Sequence, residues 1–69
     1  MVDTQSLEIL IAASGKKKGY LAHKLSISRQ YFRMKCNNEA DFTTREVEIL
    51  CKELNITKLS EKEKIFFKK

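Results

Sequence analysis

Residues 18 to 38, KGYLAHKLSISRQYFRMKCNN, constrain the fold more than any other stretch, because they hold two short helical patterns with room for one tight turn between them. Leu21, Ala22 and Leu25 share one face of a first helix, and Phe32 and Cys36 share one face of a second. Ser26-Ile27-Ser28 lies between them. Ser28 is placed to cap the second helix by accepting a backbone N–H, and Ile27 supplies the apolar residue that fills the elbow of a helix pair. The pattern reads as a helix-turn-helix over about residues 18–37.

Helical spacing then divides the second helix. At 100° per residue, Ser28, Phe32, Lys35 and Cys36 cluster toward the buried direction, whereas Gln30, Arg33, Met34 and Asn37 point away. The outward face is polar, cationic and long-armed. It suits the major groove, where Arg bonds guanine O6 and N7 and Gln bonds adenine N6 and N7. Tyr31 and Met34 add apolar surface that fits two partners. Tyrosine can meet a phosphate or sugar and methionine a thymine methyl, but both are also favoured anchors in protein interfaces.

Charge points to the same region. Residues 1 to 38 hold seven cations and two acids, and residues 39 to 69 hold seven of each, so the net charge of +5 resides in the front half. From Gly15 to Asn38 there are Lys16, Lys17, Lys18, Lys24, Arg29, Arg33 and Lys35 without one Asp or Glu. A polyanion bound there would release counterions, with a steep salt dependence.

The run Leu21-Ala22-x-x-Leu25-Ser26-Ile27-Ser28-x-x-x-Phe32 resembles the helix-turn-helix of small phage repressor and Cro-type regulators. With flanking helices the resemblance covers nearly the whole chain, and it is close to the lysogeny-switch proteins of Gram-positive phages, including the Cro-like modulator-of-repression class. It implies an all-α, single compact domain of about five short helices, residues 1–69, with a lambda-repressor-like helix-turn-helix. Two departures from the family pattern stand out. Relatives commonly pair an arginine in the first helix with a glutamate late in the recognition helix, where this chain has Ile11 and Cys36; a buried apolar contact would avoid the desolvation cost of that ion pair. Many relatives also carry glycine at the turn where this chain has Ser26, and a positive φ there would strain serine by about 1 kcal/mol.

The remaining elements read as helices. Asp3 or Thr4 caps a first helix to about Ser14, with Leu7, Leu10 and Ile11 inward and Gly15 as a left-handed stop. Lys16, Lys17 and Lys18 bridge to the next helix. Asn38 to Phe42 forms a connection, with Phe42 tucked under the domain. Thr43 and Glu46 have capping-box spacing, opening a helix with Val47, Leu50, Cys51 and Leu54 inward, Asn55 as its left-handed stop and Ile56 closing the core. Ser60 and Glu63 repeat that spacing before a last helix ending in Lys68 and Lys69, in which Leu59, Ile65 and one of Phe66 and Phe67 cover the core and the other phenylalanine is left for self-association.

Catalysis and cofactors find no support. Cys36 and Cys51 lie on apolar helical faces without CxxC pairing, His23 has no metal-spaced partner, and no phosphate-cradling glycine motif or paired carboxylates appear. No small-molecule substrate or metal is expected. The longest apolar run, Ile9 to Ala13, is far below the roughly 20 residues that cross a bilayer, and no cleavable signal is visible, so a cytoplasmic location in a bacterial host is expected.

The leading expectation is therefore an operator-binding regulator of a phage lysogeny switch. Ser28, Arg29, Gln30, Arg33 and Met34 are the base-reading candidates. Lys16, Lys17, Lys18, Tyr31, Lys35, Asn37 and Asn38 are the backbone-contact candidates. The alternative, implied by the modulator-of-repression resemblance, is an antirepressor that uses Gln30, Tyr31, Arg33 and Met34 to capture a phage repressor's DNA-binding domain. Homodimers are a further expectation, since family members often bind two half-sites.

Overall fold

In a computed structural model, which describes residues 1–67, five helices follow one another: α1 (Thr4–Ser14), α2 (Lys18–Lys24), α3 (Arg29–Cys36), α4 (Thr44–Glu53) and α5 (Leu59–Phe66). Lys68 and Lys69, expected to end the last helix, lie outside the described residues. The chain is an all-α single small domain of 28 × 24 × 21 Å.

Local chemistry explains each boundary. Asp3 caps α1 by accepting from the Ser6 N–H, and Gly15 ends it at φ 72°. Ser28 caps α3 by accepting from the Tyr31 N–H at 3.0 Å. Thr43 and Glu46 form the reciprocal capping box of α4: Glu46 N–H donates to Thr43 Oγ1 and Thr43 N–H to Glu46 Oε1. The chain reverses after α2, α3 and α4 through left-handed residues, Ser26, Asn38 and Asn55, at φ 59°, 63° and 58°. Ser26 thus adopts the conformation that the turn demands despite carrying a Cβ.

The second capping box is not used. α5 begins at Leu59 behind Lys58, which offers no side-chain cap, so Ser60 already lies inside the first turn. Leu59 does not cover the core either and is 68% exposed. Helical side chains lean toward the N terminus, so a first-turn residue projects beyond the layer that its helix packs on. Ile65 and Phe66 are buried instead, and Phe67 is the phenylalanine left outside.

The core unites every helix. Leu7 and Ile11 of α1, Leu21 and Ala22 of α2, Phe32 and Cys36 of α3, Val47, Leu50 and Cys51 of α4, and Ile65 and Phe66 of α5 form one buried cluster, joined by Val2, Leu25, Leu54 and Ile56. Phe42 packs edge-on between Phe32 and Phe66, at 6.1 and 5.9 Å. Leu10 and Ile27 pack partly buried against this cluster. Ile11 and Cys36 both belong to it. The α2–α3 elbow is closed by Ile27, whose N–H donates to Ala22 O at 3.1 Å.

Candidate interaction face on the third helix

Burying Phe32 and Cys36 turns the opposite side of α3 to solvent. Arg29, Gln30, Arg33, Met34, Asn37 and Glu39 line an open groove of about 670 Å³ along it. Arg29, Gln30, Arg33 and Asn37 are exposed, and Met34 is half-buried in the groove wall. Arg33 and Asn37 also form one wall of a second groove, about 640 Å³, whose other wall is α1 with Thr4, Gln5, Glu8 and Ile9. The Arg29 guanidinium lies over the first turn of α2, so close that a Cβ on Gly19 would come within 3.1 Å of Nη2.

Of the base-reading candidates, Arg29, Gln30, Arg33 and Met34 line the first groove, whereas Ser28, which helical spacing puts toward the buried direction, is exposed outside it as the N-cap of α3, its hydroxyl holding the Tyr31 N–H. The backbone-contact candidates divide. Lys17 and Asn37 are exposed. Tyr31 is 43% exposed.

Lys35 is not available. It is 3% exposed, its ammonium ion-paired with the Glu46 carboxylate and seated 4.6 Å from the centre of the Tyr31 ring. Its position on the wheel beside Phe32 and Cys36 prevails over its charge, because Glu46 of α4 supplies the counter-ion that makes burial tolerable. Asn38 is likewise committed. Its side chain accepts from the Val2 N–H at 2.8 Å and donates to Val2 O at 3.0 Å, pinning the residues before α1 to the end of α3.

Two lysines of the acid-free stretch also meet carboxylates from other helices. Lys16 Nζ donates to the Glu53 backbone oxygen at 2.7 Å and to its carboxylate at 3.1 Å. Lys18 pairs with Glu8 at 2.9 Å. Tyr20, exposed between Lys16 and Lys24, completes the cluster by donating its hydroxyl to Glu53 at 3.2 Å. The Lys16 hydrogen bond, helped by Tyr20, holds the Glu53 carboxyl below the usual carboxylate range. For Glu46, burial acts to raise the carboxyl, but the Lys35 and Thr43 donors outweigh it and the net shift is downward.

Glu8, Tyr20, Glu39 and Glu53 were not singled out from the sequence as part of this surface. The Tyr20–Lys24 spacing of one helical turn is a readable signal; the two ion pairs made across helices carry none. Among the described residues, Lys17, Arg29 and Arg33 have no carboxylate partner.

Cys36 and Cys51 are buried free thiols; burial, then the nearby Glu8 charge, pushes the Cys36 thiol up to about 12, and burial also raises Cys51. Among the described residues no group of three or more His, Cys, Asp or Glu side chains could hold a metal ion, and no helix is long and apolar enough to cross a membrane.

Compared with models of known protein families, with curated proteins and with solved structures, the chain matches none.

Proposed function

We propose that this chain is an antirepressor of a phage-type lysogeny switch, a helix-turn-helix protein that works in the bacterial cytoplasm by capturing the DNA-binding domain of a repressor through the outward face of α3. The observation that carries this reading is the spatial mixture of charge there. The stretch from Gly15 to Asn38 has no acid in sequence, yet Glu39 lines the α3 groove, Glu8 lines the adjoining one, and Lys16, Lys18 and Lys35 are each paired with a carboxylate. A duplex-binding face concentrates one sign of charge over its phosphate contacts. A protein-binding face gathers Arg, Tyr and Met around an apolar centre with polar groups at the rim. Met34, flanked by Arg29, Arg33 and Tyr31, fits the second description. Occupying the repressor's own recognition surface would block its access to the operator.

The operator-binding reading has its own support. Arg29, Gln30 and Arg33 stand on an exposed helix face, and among the described residues neither arginine makes an ion pair.

Two titrations separate the readings. Fluorescence anisotropy with the duplex upstream of the chain's own gene, against a scrambled duplex, measures DNA binding at low and moderate salt. Size-exclusion chromatography with a repressor DNA-binding domain encoded alongside measures capture. The antirepressor reading expects weak, unselective duplex binding and a complex that changes little with salt, because apolar burial dominates it. Met34→Asp should weaken that complex by about tenfold or more, as loss of an interface anchor does. Tight and selective duplex binding that collapses with salt, with selectivity relaxed by Arg33→Ala, would overturn this reading in favour of the operator.

A further inference from the structure

The start of α2 is bracketed by two ion pairs that cross to other helices. Lys16 reaches Glu53 at the end of α4, and Lys18 reaches Glu8 on α1. Lys17 stands exposed between them and, among the described residues, meets no carboxylate. The cations continue toward α3, since the Arg29 guanidinium lies against Gly19 in the first turn of α2 and Lys18 lines the same groove as Arg33. Lys16, Lys17, Lys18, Arg29 and Arg33 thus adjoin one another around this turn. Burial does not withhold the two paired lysines: their side chains are 36% and 35% exposed, against 3% for Lys35.

What withholds them is charge. A phosphate that comes up to either ammonium must displace its carboxylate or share the ammonium with it, and a carboxylate left within a Debye length repels the phosphate. An ammonium already neutralised inside the molecule also neutralises no phosphate, so it releases no counterion from a duplex. Both carboxylates are well placed for this. Glu8 lines the groove beside Lys18 and Arg33, so its charge meets any phosphate that enters there. Glu53 is held by several bonds, because Lys16 donates to its backbone oxygen at 2.7 Å as well as to its carboxylate, and the Tyr20 hydroxyl donates to the same carboxylate at 3.2 Å. We infer that Glu8 and Glu53 set the affinity of this surface for a phosphodiester backbone, masking Lys16 and Lys18 in a polyanion-binding surface that these lysines would otherwise complete with Lys17, Arg29 and Arg33. The two acids act as determinants against duplex binding, from helices outside the α2–α3 pair. The inference does not rest on what α3 captures.

Fluorescence anisotropy of the full chain with a short labelled duplex of random sequence, at salt from about 50 to 200 mM, tests it. Glu8→Gln and Glu53→Gln each remove a charge but keep an oxygen that can accept from the lysine, and thermal melts of the variants confirm folding. Each should tighten binding about fivefold at the low-salt end and steepen the log–log salt slope by about 0.9, the increment for one further phosphate contact; together they should add both increments. Lys16→Gln in the Glu53→Gln background, and Lys18→Gln in the Glu8→Gln background, should each reverse the gain. Glu48→Gln serves as the control for net charge, since Glu48 is exposed on α4 and, among the described residues, pairs with no lysine; it should leave the slope unchanged. Glu8 and Glu53 variants that bind and respond to salt as the unaltered chain does, or a Glu48 variant that gains as much as they do, would overturn the inference. Tight, selective binding by the unaltered chain to its own upstream duplex would instead overturn capture by α3, and the random-duplex comparison would still decide the role of the two acids.

Discussion

Lys35 of α3 and Glu46 of α4 form a buried ion pair in which one carboxylate serves two purposes: it neutralises the lysine and closes the capping box of its own helix through Thr43. The same ammonium lies 6.0 Å from the centre of the half-buried Phe42 ring, beside the stack that Phe42 makes with Phe32 and Phe66.

Removing one partner of this pair should be far worse than removing its charge altogether. Glu46→Ala leaves a buried ammonium unpaired and should cost about 3–5 kcal/mol, whereas Lys35→Met, tested together with Glu46→Gln, should be near neutral. Chemical denaturation of the variants checks this. The pH dependence follows from the lowered carboxyl. Stability from Glu46 is fully present above its unfolded value of about 4.3 and is lost as pH falls through the lower folded value. The acid limb of a melting-temperature profile should flatten in the double variant.

Two left-handed residues should respond to glycine with opposite signs. Ser26→Gly relieves the strain at φ 59° and should stabilise by about 1 kcal/mol. Asn38→Gly relieves similar strain at φ 63° but deletes both bonds to Val2, each worth about 0.5–1.5 kcal/mol, and should destabilise on balance. Urea unfolding of the pair gives both signs in one experiment.

Gly19→Ala should separate stability from binding. Alanine gains about 1 kcal/mol of helix propensity within α2, and the approaching atoms, 3.1 and 3.2 Å from the new Cβ, belong to the mobile end of Arg29. The guanidinium moves aside by a few tenths of an ångström. The variant should melt higher yet alter whichever binding Arg29 contributes to, as read by the same melts and titrations.

The thiols set an alkaline limit. With Cys36 raised to about 12, the folded state keeps that thiol protonated well above the value of about 8.5 at which an unfolded thiol ionises, and burial raises Cys51 in the same direction. Stability is full below that value and falls as pH rises, by up to about 1.4 kcal/mol per pH unit for each thiol. Cys36→Val should make the alkaline limb of the melting profile shallower.

Much of the scaffold was readable because its signals are local. The stop at Gly15, the Ser28 cap, the Thr43–Glu46 box and the inward stripe of α4 each depend on residues within a turn or two of one another. The Ser60–Glu63 spacing failed although it is equally local, since helix α5 had already started at Leu59. The outward face of α3 was also legible, as the complement of Phe32 and Cys36. What escaped is the state of its charges. Glu8, Glu46 and Glu53 lie 10, 11 and 37 residues from the lysines they meet, and no periodicity links such distant positions. The role of Asn38 was hidden for the same reason, its partner Val2 being 36 residues away.

The pairing of Lys16 with Glu53 and of Lys18 with Glu8 has an evolutionary consequence. The charge presented beside α2 can be reset by substitutions on the first and fourth helices, at Glu8 and Glu53, with every residue of α2 and α3 left in place. Two chains identical from Lys18 to Cys36 could then present different surface charge, and the difference would be written where a comparison of that stretch alone does not look.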